Sequence, residues 1–158
     1  MRDQAHDLAM ALRGAYLTMH RRADASFAGY VVTADQFVLL DLLARESEVT
    51  QQTLVVRAYS DPNTVRTMLV LLEGRGLVTR KRHPVDGRAR SVSLTGKGRR
   101  AVERIRSACR PFYDRLLSDY RPEEVPILLR LLGRIPPVMT GREAPEARRQ
   151  ASATAESP

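Results

Sequence analysis

Asp61–Thr95 reads DPNTVRTMLVLLEGRGLVTRKRHPVDGRARSVSLT, and its hydrophobic period changes halfway along. In the first half Val65, Met68, Leu69 and Leu72 recur at i, i+3, i+4 and i+7, which is one face of a helix. Asp61 is a good N-cap, and Pro62 suits the first helical position, where its missing N–H has no partner to lose. Gly76 stands where a left-handed glycine ends a helix. Beyond it, Leu77–Arg82 and Arg90–Leu94 are strand-like. Val92 and Leu94 alternate with Ser91 and Ser93, as in a half-buried strand. Pro84 and Asp86-Gly87 supply the turn. The expectation is a helix feeding a short hairpin.

The flanks complete the fold. Thr50–Tyr59 reads as a short helix capped by Thr50, separated from the helix at Pro62 by a tight turn. Thr33–Arg45 is capped by Thr33 and carries Asp35 in its first turn, where a negative charge meets the positive end of the helix dipole. Phe37, Val38, Leu40, Leu42 and Leu43 leave it little polar face, so it is predicted to be largely buried. Residues 5–30 place Leu8, Leu12, Ala15/Tyr16, Met19, Ala23 and Phe27 at near-helical spacing. Thr95 caps a long helix with apolar line Ala101/Val102, Ile105, Ala108/Cys109, Phe112 and Leu116, which Pro111 is expected to kink. Pro122-Glu-Glu starts a last helix through Ile127–Leu132, with Pro126 leaving its first turn open. From Pro136 onward Pro, Ala, Ser and charge dominate, and residues 136–158 are predicted to be a disordered tail. The fold class is mainly α with a small β-hairpin (α+β): one domain at 1–135 containing a winged helix-turn-helix lobe at 33–96.

Charge is concentrated on that lobe. The chain of 158 residues has a formal net charge of +8. Residues 1–60 hold 6 basic and 7 acidic side chains, whereas residues 61–120 hold 14 and 6. Between 75 and 100 lie Arg75, Arg80, Lys81, Arg82, Arg88, Arg90, Lys97, Arg99 and Arg100, against Asp86. Such a patch calls for a polyanion. Anionic lipid fits poorly, because the segment has a strand pattern and not that of a membrane-surface helix. No run of about 18 apolar residues is present to span a membrane. The N-terminus lacks the apolar core of a secretion signal, and the one cysteine, Cys109, has no internal partner. A cytoplasmic, reducing location is the expectation.

A recognition helix presents its N-terminal part to the major groove. Asn63, Thr64, Arg66 and Thr67 lie opposite the apolar line. Asn suits adenine, Arg suits guanine, and Thr suits base edges or a thymine methyl; Asn63 and Thr64 also fit a role in capping. A hairpin tip carrying Arg88 next to Gly87 can enter the minor groove, where a narrow groove concentrates negative potential. Asp86 makes sense as a brace that preorganises Arg88 or Arg90. Arg80, Arg82 and Arg90 are candidates for backbone phosphates. Arg75, Arg99 and Arg100 read equally well as solvated charge. No phosphate loop, nucleophile set or zinc spacing stands out, so no enzyme, metal or cofactor is expected. A protein-binding adaptor is the main rival. RNA is disfavoured because no aromatic residue lies between Gly76 and Arg100 to stack on bases.

These residues resemble the MarR family of winged helix-turn-helix regulators. The likeness runs from about Thr33 to Arg104 and rests on TADQFVLLDLLA, TQQTLVVRA, DPNTVRTMLVLLEGRGLVTR and VDGRARSVSLTGKG. It implies a homodimeric regulator, a repressor, on a pseudo-palindromic double-stranded DNA operator. Asp86 and Arg88 match the family's wing residues, and residues 5–30 and 97–135 match its dimerisation helices. It implies release by a small, aromatic anionic effector between the two lobes, for which Arg13, Tyr16, Met19, His20 and Phe37 are candidate lining, although Tyr16 and Met19 at helical spacing read first as core and His20 as a surface or capped histidine. Some members sense oxidants through cysteine; Cys109 lies on an apolar helix line and reads first as an inert buried thiol, with a redox switch as the alternative, in which Arg106 and Arg110 beside it lower its pKa. Three departures stand out. Tyr59 occupies the place of a turn glycine, which predicts a wider turn. Val70 and Leu71 are apolar where a polar face is usual, implying extra packing or a sticky surface. Pro111 and Pro126 are expected to reshape the dimerisation helices.

Overall fold

Four short polar side chains start four of the helices. The structure, a computed structural model, describes residues 2–27, 29–46, 48–82 and 90–140. Helix α1 is Arg2–Phe27, α2 is Ala34–Ala44, α3 is Gln51–Arg57, α4 is Pro62–Gly74 and α5 is Gly96–Leu117. Thr33 Oγ1 accepts from the Gln36 N–H at 3.2 Å, and Gln36 Oε1 accepts from the Thr33 N–H at 3.2 Å, a reciprocal capping box on α2. Thr50 accepts from the Thr53 N–H on α3, and Asp61 from the Asn63 and Thr64 N–H groups on α4. Thr95 Oγ1 accepts from the Gly98 N–H at the start of α5. Each cap satisfies donors that a helix start otherwise leaves orphaned.

Two of these helices end in the same way. At the end of α4 the Leu77 N–H reaches the Leu72 carbonyl and the Gly76 N–H the Glu73 carbonyl, with Gly76 at φ 69°. At the end of α3 the Ser60 N–H reaches the Val55 carbonyl and the Tyr59 N–H the Val56 carbonyl, with Tyr59 at φ 49°. Both are Schellman motifs, which need one left-handed residue. The wider turn expected from Tyr59 is therefore not what forms. The tyrosine adopts the conformation a glycine would take, although a side chain there costs about 1–2 kcal/mol. The surrounding core fixes where α4 must begin, and the turn accepts the strain.

Strands β2 (Val78–Arg82) and β3 (Arg90–Leu94) pair antiparallel, as the sequence predicts. The sequence reading lacks β1 (Val49–Thr50), which adds antiparallel to the other edge of β3 and gives the sheet order β1-β3-β2. That extra strand changes one side-chain reading. Ser91, assigned to the polar face, is buried at 2% exposure, with its hydroxyl unpaired among the described residues. The core joins Leu39, Leu40 and Leu43 of α2 to Leu54 of α3, Val65, Leu69 and Leu72 of α4, Val78 and Val92 of the sheet, and Val102 and Ile105 of α5.

The LTGKG segment ties this core to α5. The Thr95 hydroxyl donates to the Gly76 carbonyl at 2.7 Å, and Lys97 Nζ donates to the Arg75 carbonyl at 2.8 Å. Gly98 lies so close to β2 that a Cβ there would sit 2.0 Å from the Leu77 carbonyl oxygen. Only glycine fits.

The chain divides into two compact units between Phe112 and Tyr113, inside α5. In the first unit α1 ends at Phe27, short of the expected residue 30, and Phe27 is its one buried residue among those described. Leu8, Tyr16 and Met19 of α1 are exposed. The second unit holds the end of α5, α6 (Glu124–Leu132) and α7 (Ile135–Thr140). Pro126 lies in the first turn of α6, where its missing N–H breaks no helical bond. Arg121 donates from its backbone and guanidinium to Glu124, holding that carboxyl below the usual range. Helix α5 runs unbroken through Pro111. Helix α7 occupies 135–140, where the sequence suggested the start of an unstructured tail; residues 141–158 lie outside the described residues. No described helix is long and apolar enough to cross a membrane.

Candidate nucleic-acid interface

Helix α4 buries Val65, Leu69 and Leu72 and exposes Asn63, Thr64, Arg66 and Thr67. The four predicted base-reading residues thus share the open side of the helix, but their side chains are committed differently. The Thr64 hydroxyl serves the cap: it and the Thr64 N–H are the main groups holding Asp61 below the usual carboxylate range. The Thr67 hydroxyl donates to the Asn63 carbonyl at 3.0 Å. Asn63 and Arg66 project from the first two turns with no such local bond among the described residues. They have the donors and acceptors that bidentate base contacts require.

The hairpin lies at the other end of α4, and one ion pair fixes its base. Arg80 Nε donates to Glu73 Oε2 at 2.8 Å, its Nη2 donates to the same oxygen, and the Arg80 N–H donates to Glu73 Oε1 at 3.2 Å. The Arg80 side chain is 16% exposed. Arg80 hydrogen bonding, its positive charge and then that of Arg90 hold the Glu73 carboxyl below its ordinary range. Arg80, a phosphate candidate from the sequence, is here turned inward as a brace between the last turn of α4 and β2. On the same strand face, two residues further along, Arg82 and Arg90 stand directly opposite each other in register and both are exposed. Like charges directly across a ladder destabilise it. Asp86 and Arg88, at the expected tip, lie outside the described residues.

The predicted effector residues do not line one cleft among the described residues. A cleft of about 570 Å³ is lined by His20, Asp24, Phe27, Tyr30, Val31, Val32, Thr33, Asp35 and Arg75. Of the expected set, His20 alone is in this lining. Its Nδ1 lies 3.1 Å from Asp24 and its Nε2 3.3 Å from Asp35, bridging α1 and α2. Tyr16 touches the His20 ring at a centroid distance of 5.5 Å. Phe37 is buried in the core against Phe27 at 5.3 Å. Met19 and Arg13 are exposed. Arg75, read as a coin-toss surface charge, is both the C-cap of α4 and part of the cleft, and it donates to Gln36 Oε1 at 2.8 Å. The residues missed, Asp24, Tyr30 and Arg75, meet only because the chain doubles back after α1, and no local period encodes that.

Cys109 is buried on α5, and burial pushes its thiol up. This agrees with reading Cys109 as an inert buried thiol, and not with the alternative in which Arg106 and Arg110 lower its pKa. Arg106 is instead drawn to Asp41 of α2 at 2.8 Å. A thiol that is less ionised and shielded is a poor redox trigger.

Comparison with known proteins gives a consistent picture. The profile of the MarR family matches residues 32–89. The chain is 31% identical over 104 residues to the uncharacterized HTH-type transcriptional regulator YdgJ of Bacillus subtilis, covering 66% of this chain and 63% of YdgJ, just under two thirds of that relative's length. It is 33% identical over 111 residues to the HTH-type transcriptional regulator MgrA of Staphylococcus aureus, covering 69% of this chain and 73% of MgrA. Among solved structures it resembles the transcriptional repressor CouR bound to a 23-mer DNA duplex, with TM-score 0.73 and 30% identity, over 81% of this chain and 91% of CouR.

Proposed function

The chain belongs to the MarR family, whose relatives matched here are transcriptional regulators and not enzymes, and on that premise we propose that it regulates transcription by binding a specific DNA operator. The observation that carries this reading is the Arg82–Arg90 pair at the tip-side end of the β2–β3 ladder. Arg82 and Arg90 are register partners across the ladder and both are exposed, and like charges directly opposite each other disfavour a ladder. A phosphate backbone laid over them removes that repulsion and releases counterions. Asn63 and Arg66 then read bases, Arg80 and Glu73 hold the hairpin at a fixed angle to α4, and Arg88 reaches the minor groove with Asp86 as its brace.

The finer reading is a cytoplasmic homodimer that represses by occupying a pseudo-palindromic site. The exposed apolar residues of α1 and of α6, Leu8 and Tyr16 on one and Ile127, Leu128 and Leu131 on the other, favour a partner subunit. An effector in the cleft places an apolar body against Phe27 and Tyr30 and competes for Arg75, whose bond to Gln36 joins the end of α4 to the start of α2. With Asp24 and Asp35 also in the lining, Arg75 is the one permanently cationic group there among the described residues for an anion to meet.

The test is a titration of the protein onto the DNA upstream of its own gene across salt concentrations, for wild type, Arg82→Gln and Arg88→Ala. The expected result is binding that withstands random competitor DNA, with a log–log salt slope of several units that falls by about one in each variant. Equal, weak binding to all DNA, indifferent to both arginines, sinks the reading in favour of a protein-binding adaptor.

A further inference from the structure

Val70 raises a question that the DNA-binding reading leaves unanswered. It is a β-branched apolar residue, 48% exposed, in the third turn of α4. Extra packing does not explain it, because it points away from Val65, Leu69 and Leu72. At about 100° per residue it falls within roughly 20° of Asn63 around the helix axis. It therefore continues the line of Asn63 and lies between the azimuths of Asn63 and Arg66. Leu71, 45% exposed, is about 100° further round, on the flank. At about 1.5 Å per residue, Val70 sits roughly 10 Å beyond Asn63 along the axis, the span of about three base pairs.

The chemistry of the groove narrows what can meet it. Base edges in the major groove present donors, acceptors and one apolar feature, the thymine methyl. A valine on the centre line of the reading face has no donor or acceptor to offer. Set against hydrated acceptors it would strip water without replacing it; set against a methyl it buries apolar area on both sides. We infer that Val70 is a specificity-determining residue that reads a thymine methyl about three base pairs from the base contacted by Asn63. This inference rests on α4 lying in the major groove.

The experiment separates the two levels. Duplexes are first selected from a random library with the full-length protein. Each thymine of the selected site is then replaced in turn by deoxyuridine, which deletes the methyl and nothing else. Dissociation constants are measured for wild type, Val70→Ala and Leu71→Ala. One thymine position per half-site is expected to weaken wild-type binding about fourfold when its methyl is removed, the worth of one buried methyl-sized group. Val70→Ala is expected to lose that dependence, and Leu71→Ala to keep it. If no deoxyuridine substitution matters, or if Val70→Ala responds as wild type does, the methyl reading is overturned while DNA binding stands. If selection enriches no duplex at all, the DNA reading itself fails, and the methyl reading with it.

Discussion

The two ends of the β2–β3 ladder are built to opposite rules. At the end next to α5 the ladder's own described charge and hydroxyls are answered. Arg80 meets Glu73, Thr79 and Ser93 share a hydrogen bond at 3.1 Å, and Thr95 and Lys97 close the carbonyls at the end of α4. Toward the tip, Lys81, Arg82 and Arg90 are exposed, with Arg82 directly facing Arg90. One hairpin is thus a locked hinge at its base and an excess of positive charge further out. The difference teaches where to look for function. Local rules are obeyed where the hairpin must be held and broken where it must meet something else.

The locked end is the more sensitive. Gly98→Ala drives a methyl into the Leu77 carbonyl, so backbone has to move. A loss of about 2 kcal/mol or more is expected, within or above the range for overpacked sites, and urea denaturation measures it. A variant within 0.5 kcal/mol of wild type (a small effect on the scale of surface substitutions) would show that the base is not locked at that point. Glu73→Gln tests the ion pair, with an expected loss below about 1 kcal/mol at neutral pH, because the Glu73 side chain is 37% exposed and solvent screens it. Its pH dependence is the sharper readout. A carboxyl held below its ordinary value, near 4.5, contributes stability that is complete above that value and disappears as pH falls through the lower folded value. Wild type should therefore lose its advantage over Glu73→Gln on acidification below about pH 4.5. A difference between the two that does not change with pH would refute the pairing. At the open end the sign reverses. Arg82→Gln is expected to stabilise the free protein by a few tenths of a kcal/mol, seen as a raised melting temperature, while weakening DNA binding. A variant that loses stability and leaves DNA affinity unchanged would erase the contrast.

The locked end was also the part most legible in the sequence. Thr33, Thr50, Asp61 and Thr95 act as caps because capping depends on neighbours within three residues, and Gly76 ends α4 for the same local reason. The strands were legible from Val78 to Arg82 and Arg90 to Leu94 by alternation. Strand β1 was not, since two residues carry no period and its partner, β3, lies some forty positions away. Tyr59 misled because a side-chain preference was overruled by where α3 and α4 must sit. Of the site, the α4 face could be read from the helical period alone. Arg80 could be read as a cation but not as the partner of Glu73. The cleft could not be read at all beyond His20, because Asp24, Tyr30 and Arg75 converge through a reversal of the chain that no single segment encodes.

Gln36 carries a last consequence. One amide oxygen accepts both from the Thr33 N–H at 3.2 Å and from Arg75 Nη1 at 2.8 Å. The first residue before α2 and the last cap of α4 therefore hang on the same atom. Rotating that side chain would release both at once, so in mechanical terms the two helix ends share a single pin.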